Sequence, residues 1–426
     1  MSTTHTPSAA LTPVAPEERV FGFSAHLSLW FSLGVGLLVM QVGAYLVPAV
    51  GTRDALWAIM LGSVIGAGLL GWTAAIGTRT GLSSAGLMHA TYGSAFARLP
   101  VLLNIVQLLG WTAFELVVMR DGTIAILGQV FGITSGPLAI VLATLLWGGV
   151  LTLLMTGSML TLVRRFVARV GLPLVVLSLL WLSWHFVGVL QDKGVDAFMA
   201  RAGDGSMGML SALGLVMAMP VSWLPLVADY ARHGRSSRAT LGGTWLGYAV
   251  ANAWCYALGV LVASVSEPGI DLVTALLLAQ GGLLALGLIL LDELDNAYGD
   301  VYSAAVSSSS LRPGSLRRWG VWIALACTGM AIVLPMHSLE PFLLMLSSVF
   351  VPLYGVILGR LGLGDAAQPQ RLAVDRSAVA LWLLGVVVYH AVERLAPQWG
   401  ASLVALGLCF ALAALTRERS AQVQAA

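Results

Sequence analysis

Apolar stretches separated by short polar turns run through the whole chain. Twelve are long enough to span a bilayer, for which a helix needs about 20 mostly apolar residues. They lie near residues 27–48, 55–77, 99–119, 137–157, 168–190, 208–229, 241–264, 272–307, 319–336, 341–359, 378–394 and 400–416. The eighth is too long for one upright crossing and demands tilt, a break or an end in water. It also carries Asp292, Glu293, Asp295, Asn296 and Asp300. At 100° per residue these positions, with Ser303, cover about 160° of arc, while Leu290, Leu294, Ala297 and Val301 take the opposite side. A lipid-facing carboxylate at a helix centre costs about 3 kcal/mol, so four would cost about 10 kcal/mol, as much as a typical net stability. The acids therefore line a protein interior or a wet cavity, or else sit at a solvated helix end. The apolar Ala304–Val306 continuation and the later Arg312, Arg317 and Arg318 put the membrane exit beyond them and favour the cavity.

Composition fits an all-α polytopic membrane protein of 12 transmembrane helices. The chain is 58% hydrophobic and 10% charged, with a mean hydropathy of +0.88, where a soluble domain carries about 25% charged residues. Net charge is near zero, so its distribution is what informs. With the N-terminus inside, seventeen of the 22 Lys and Arg fall in inner segments, Arg164, Arg165, Arg169, Arg371, Arg417 and Arg419 among them. Arg53, Arg120, Lys193, Arg201 and Arg394 fall outside. This positive-inside bias predicts both termini in the cytoplasm and a place in the cell inner membrane. Met1–Pro16 has no basic n-region, so the first apolar segment reads as an anchor and not a signal peptide. Cys255, Cys327 and Cys409 lie in spans and suggest neither a disulfide framework nor a metal site.

Two spans look interrupted. The first holds Gly36-Leu-Leu-Val-Met-Gln-Val-Gly43 and ends on Pro48; the sixth holds Gly214-Leu-Val-Met-Ala-Met-Pro220 and ends on Pro225. Similar breaks five spans apart, expected at Gly43 and Pro220, point to an inverted-repeat transporter with its site at the breaks. Gln41 lies at the first break, and Ser222 and Trp223 flank the second. On the third span Asn104, Gln107, Trp111 and Glu115 share one face. An indole face stacks on a flat heteroaromatic ring while neighbouring polar groups meet the ring's edge. Trp111 would supply the stack, and Gln107 and Glu115 the edge; a carboxyl group suits an aminopyrimidine. The alternative is that Trp111 packs and Glu115 pairs with Arg120. Asp229 is expected to pair with a neighbouring Arg. Gly62, Gly66, Gly68 and Gly71 give the second span a close-packing face. His26, His89, His185, His233, His337 and His390 fall at span ends or loops and His5 in the tail, all read as interfacial. HExxH, GxSxG and Walker motifs are absent, and Gly81-Leu-Ser83 has no partner base, so the chain reads as no enzyme.

In order and spacing these residues resemble the nucleobase–cation symporter-1 family, and within it the cytosine-permease-like branch of hydroxymethylpyrimidine transporters. The resemblance rests on Gly81-Leu-Ser-Ser84, Tyr92-Gly93, Leu99-Pro100, Gln107-Leu-Leu-Gly-Trp111 and Asp229-Tyr-Ala-Arg232. It continues with Asn296-x3-Asp300-Val-Tyr302-Ser303 and Phe342-Leu…Pro352-Leu-Tyr-Gly355. It implies a LeuT-type fold: a cytoplasmic tail 1–26, five-helix repeats 27–190 and 208–359, two additional helices 378–416 and a tail 417–426. It further implies substrate held between Trp111 and Trp223, with Gln41, Glu115, Ser222 and Asp300 at its edge and Asn296 in the same motif. Family sodium ligands fall on the carbonyls of Leu37 and Met40 and on Asp295, where the family has a hydroxyl. The coupling ion is therefore Na+ or H+, with no other cofactor. The expected function is a cation-coupled importer of an aminopyrimidine, the hydroxymethylpyrimidine precursor of thiamine, working as a monomer in the lipid bilayer with no nucleic acid partner. A cytosine, purine or hydantoin permease is the alternative within the fold, and a non-transporting membrane sensor the alternative outside it.

Overall fold

A computed structural model describes residues 10–133, 135–157, 170–267, 269–333, 339–364 and 372–416. His5, Arg164, Arg165, Arg169, His337, Arg371, Arg417, Arg419 and the tail 417–426 lie outside the described residues. Among those described, the secondary structure is helical, with two isolated β-bridges and no strand.

The first span is two helices, α1 (Phe23–Ser32) and α2 (Leu37–Val50), meeting at a 63° bend. Gly51 then turns the chain at φ +83 into α3 (Thr52–Thr80). Next come a short α4 (Ser84–Tyr92), α5 (Arg98–Phe131), α6 (Pro137–Thr156), α7 (Leu172–Lys193) and α8 (Val195–Ala200). The sixth span comprises α9 (Met209–Ser222) and α10 (Leu224–Ala231), joined at Trp223. It is followed by α11 (Ser237–Val265), α12 (Leu272–Leu278) and α13 (Gly282–Leu311). The chain finishes with α14 (Leu316–Val333), α15 (Leu339–Leu361), α16 (Arg376–Leu395) and α17 (Ala401–Leu415). Nine described helices, with α9–α10 counted as one, are long and apolar enough to cross a membrane, and the bent α1–α2 pair makes ten. The acidic α13 and the 15-residue α17 occupy the positions of the eighth and twelfth expected spans.

Four expectations change. The first break lies at Leu33–Gly36, not at Gly43, which lies inside α2 and whose missing side chain lets the Tyr256 carbonyl approach. Pro220 sits inside α9, and the interruption comes at Trp223, whose dihedrals remain helical. The eighth span is α12 plus α13, because Gly281 at φ +72 ends the first helix's direction and starts the second. Residues 78–98, read as a loop, contain α4. There Ser83 is the N-cap, its Oγ accepting from the Gly86 N–H at 3.0 Å, which gives the Gly81-Leu-Ser motif a structural role.

Two packed groups build the molecule. In one, α3 and α11 hold α1, α2 and α9; in the other, α5 and α13 hold α14, with α6 on α14; α15, α16 and α17 form a flank. The glycine face of α3 acts as expected: Gly62 lies on Val216, Gly66 on Pro220 and Met217, and Gly71 on the Leu241 carbonyl. α13 is buried on both its sides, Leu290 fitting against Gly122 of α5. The residues 10–22 strap across the arginine-rich end, where Arg19 donates to the Thr78 carbonyl at 2.8 Å and Val14 N–H to the Gly81 carbonyl at 2.9 Å.

A Cβ at Gly259 would stand 1.9 Å from the Met40 carbonyl oxygen, so α11 and α2 touch backbone to backbone. Gly259→Ala is therefore expected to cost about 1–3 kcal/mol of stability by overpacking. It should lower the thermal midpoint of the detergent-solubilised protein, while Gly287→Ala, with open space around it, should not.

Candidate functional site: a cavity at the broken first span

The chain between α1 and α2 runs unwound through Leu33, Gly34, Val35 and Gly36, and backbone groups there need partners other than a helix ladder. The end of α1 takes the N–H groups of Leu33, Gly34 and Val35, and the acidic face of α13 meets groups on either side of them. Glu293 Oε1 accepts the Leu37 N–H at 2.5 Å, and Asn296 Nδ2 donates to the Val35 carbonyl at 3.2 Å. The Ser32 hydroxyl donates to Asp292 Oδ1 at 2.9 Å.

Beside the break lies a tight cavity that offers about 20 Å³ to the centre of a water-sized sphere, room for about one water. Leu33, Gly36, Leu38, Val39, Trp111, Glu115, Met219, Ser222, Trp223, Tyr248, Glu293, Asn296 and Asp300 line it, all of them buried. The expected Trp111, Glu115, Ser222, Trp223, Asn296 and Asp300 are thus brought together. Both indoles are braced by other rings. Trp111 meets Phe342 edge-on with centroids 5.3 Å apart, and Trp223 meets Trp30 edge-on at 5.9 Å. Glu115 Oε2, Asp300 Oδ2, Asn296 Oδ1 and Trp111 Nε1 are buried without partners. Ser222 spends its hydroxyl on the Met219 carbonyl at 2.7 Å. No Lys, Arg or His is among the lining residues.

Gln41, Gln107, Leu37, Met40 and Asp295 fall elsewhere. Gln41 lines a separate recess of about 670 Å³ with Tyr45, Phe114, Asp121 and Asp271, at the end away from Arg79 and Arg98. Gln107 turns to Asn104, donating to its Oδ1 at 3.0 Å; Asn104 Nδ2 donates to the Pro225 carbonyl at 2.9 Å and to Ser307 Oγ at 3.1 Å. Leu37 and Met40 belong to the helix α2 because the break falls before them, and the Met40 carbonyl packs on Gly259. Asp295 lies near Ser32, whose hydroxyl donates to Asp292. Asp292, Asp295 and Ser32 form an all-oxygen group at the end of α1, a donor set that suits a hard cation or a proton. Among the described residues no three His, Cys, Asp or Glu side chains are arranged to hold a metal ion.

Arg120 pairs with Asp121 at 2.7 Å and donates to the Ala331 carbonyl at 3.0 Å, which leaves Glu115 facing the cavity. Asp229 accepts the Ser84 N–H at 3.0 Å and so ties α10 to α4. The three cysteines are free and buried. His26 is fully buried, with Nε2 3.2 Å from Thr240 Oγ1, and is no interfacial residue. Sequence reasoning missed Tyr248 and gave Glu293 no role at the site. The spacing of Thr244, Tyr248 and Asn252, one helical turn apart on the seventh span, was the available signal for Tyr248.

Helices long and apolar enough to cross a membrane thus surround a buried polar cavity, with one of them broken beside it. The chain belongs to the family described as permeases for cytosine/purines, uracil, thiamine and allantoin, whose profile matches residues 13–361. Among solved structures it is similar to Mhp1, a nucleobase–cation-symport-1 family transporter in a closed conformation with bromovinylhydantoin bound. That match is 17% identical, covers 98% of this chain and 96% of the other, and has a TM-score of 0.79. Mhp1 in an inward-facing conformation matches at 16% identity over 97% and 94%, with a TM-score of 0.75. A Na+-coupled sialic acid symporter in a substrate-bound outward-open state matches at 11% identity over 95% and 91%, with a TM-score of 0.65. These likenesses establish the LeuT-type fold. No curated protein sequence matches the chain.

Asn104 and Gln107 hold the start of α10 without touching the cavity. Gln107→Ala is expected to lower thermal stability by about 1–3 kcal/mol through the Asn104 acceptor it orphans. Ligand affinity should change by less than about threefold, as read by calorimetric titration of the folded variant.

Proposed function

We propose that the protein is a cation-coupled secondary transporter that imports an aminopyrimidine by alternating access, and that its substrate is the hydroxymethylpyrimidine precursor of thiamine. The observation that carries this reading is one cavity holding two indoles, Trp111 and Trp223, with the open carboxyl oxygens of Glu115 and Asp300 and no cationic side chain. A flat ring stacks on the indoles. Its exocyclic amine donates to a carboxylate oxygen, and a protonated carboxyl donates to the ring nitrogen. The family description, with cytosine and thiamine in it, supports the ring class. The Na+-coupled neighbour supports a coupling ion, for which Asp292, Asp295 and Ser32 provide the oxygens. With this function go a monomer in the cell inner membrane, cytoplasmic termini and the two repeats 27–190 and 208–359.

The test of the substrate reading is binding and uptake of 4-amino-5-hydroxymethyl-2-methylpyrimidine by the purified protein. Trp111→Ala should lower affinity about 10²-fold or more while the protein still inserts and folds. Glu115→Gln keeps the shape, loses the charge, and should weaken the aminopyrimidine far more than uracil or hydantoin. Equal loss across the three ligands would assign Glu115 to structure alone.

Coupling is tested separately at Asp295. Asp295→Asn should abolish accumulation driven by a Na+ or H+ gradient in proteoliposomes. Exchange of internal for external substrate should survive, since it needs no net ion movement. Accumulation equal to wild type under both gradients would remove Asp295 from the coupling site.

A further inference from the structure

The N-terminus of α2 meets the cavity at Gly36, Leu38 and Val39. In carriers with interrupted spans, the free N–H groups and positive dipole end of such a half-helix attract an anionic group of the ligand. Here the position is already taken. Glu293 holds the Leu37 N–H through Oε1 at 2.5 Å, and its Oε2 lies 3.5 Å from Asn296 Nδ2. The carboxyl presses so closely on the break that a Cβ added to Gly36 would stand 3.2 Å from Oε1. Glu293 is 1% exposed, so no solvent takes its place.

A second observation bears on the same space. Glu115 Oε2, Asp300 Oδ2 and Asn296 Oδ1 are buried without partners around the cavity that Glu293 lines. Each is a carboxyl or amide oxygen that lacks a partner, and Trp111 Nε1 is an open donor beside them. A ligand bearing a carboxylate would bring a further carboxyl group to three already there and find the Leu37 N–H taken, a mismatch that costs binding and thereby selects.

We propose that Glu293 is a specificity-determining residue: a built-in carboxyl group that occupies the Leu37 N–H at the α2 N-terminus, so that the cavity admits rings without negative charge and rejects carboxylated ones. The proposal rests on the reading of this cavity as the substrate site. It applies whichever ring the cavity prefers. It assigns the helix end to the protein itself and leaves the donor-bearing edge of the ligand to Glu115 and Asp300.

The experiment uses the full chain purified in detergent and three matched ligand pairs. These are 4-amino-5-hydroxymethyl-2-methylpyrimidine and its 5-carboxylate, cytosine and its 5-carboxylate, and hydantoin and hydantoin-5-acetate. Affinities are read by competition against the tightest neutral ring for wild type, Glu293→Gln and Glu293→Ala. Wild type should prefer the neutral member by about 100-fold or more. Glu293→Ala should shrink that ratio at least about tenfold by freeing the helix end, and Glu293→Gln, which keeps an acceptor for Leu37 without the charge, should also shrink it. A merely structural residue would weaken both members of a pair alike and leave the ratio unchanged. An unchanged ratio in the folded variants, or equal binding of the two members by wild type, overturns the proposal; if the Ala variant does not fold, the Gln variant decides. Tightest binding of a ring other than the aminopyrimidine would instead overturn the substrate reading, and the ratio on that ring still decides the role of Glu293.

Discussion

A backbone interrupted inside a bilayer has no water to satisfy it, and the interruption at Leu33–Gly36 sets the terms for everything around it. The end of α1 takes the N–H groups of Leu33, Gly34 and Val35, and α13 meets the Leu37 N–H with Glu293, the Val35 carbonyl with Asn296 and the Ser32 hydroxyl with Asp292. Those three positions lie on one side of a helix, so a single rigid element can hold all of them. On its other side the break is pinched by α11, where a Cβ on Gly34 would stand 2.9 Å from Ala251 Cβ. The acids of α13, costly against lipid, are thus affordable because the unwound chain needs them.

The same face carries more polar groups than the break consumes. Asp300 Oδ2 and Asn296 Oδ1 remain open, and Glu115 Oε2 joins them from α5. A buried polar atom without a partner destabilises a fold by about 1–3 kcal/mol. Several such atoms in one cavity therefore amount to a deficit that a ligand bearing donors removes on binding. The rings around them stay in place without a ligand, since Trp111 leans on Phe342 and Trp223 on Trp30. On the proposed reading the rings are a preorganised stacking surface and the polar edge is what a ligand completes.

How far the sequence foretold this differs from residue to residue. The acid face of the eighth span was legible because four carboxylates in a membrane helix leave few physical options. The Trp111–Glu115 stripe was legible for the same kind of reason, and the structure places both at the cavity. The position of the first break was not. Gly43 and Pro48 are strong local signals, yet Gly43 serves close packing on Tyr256, and the chain unwinds instead at Gly34 and Gly36, where α11 and α13 supply long-range contacts. That shift of a few residues carried Gln41 out of the cavity and left Leu37 and Met40 inside α2. Gln107 has the right helix face, but its amide meets Asn104, a pairing that spacing alone leaves undetermined. Glu293 was seen as one acid among several. Its particular role depends on where the break falls, so it was legible only once the fold was known.

The cavity's two ends are built differently, and this follows from the same break. Toward the arginine-rich end it is floored by rings: Trp30 packs on Trp223, Tyr230 and Tyr248, and Tyr230 bonds the Gly299 carbonyl at 3.2 Å. Below them, Asp229 fastens α10 to α4, and the strap of residues 10–22 fastens the start of α1 to the end of α3. Toward the other end, Leu38 lines both the cavity and the wide recess, so the two spaces meet at one apolar side chain in the first turn of α2. Leu38 stands one residue past the N–H that Glu293 holds. The contact that satisfies the broken backbone therefore also fixes the side chain between ligand cavity and open recess, and a movement of α2 that opened one would have to act against the hold of α13 on the other.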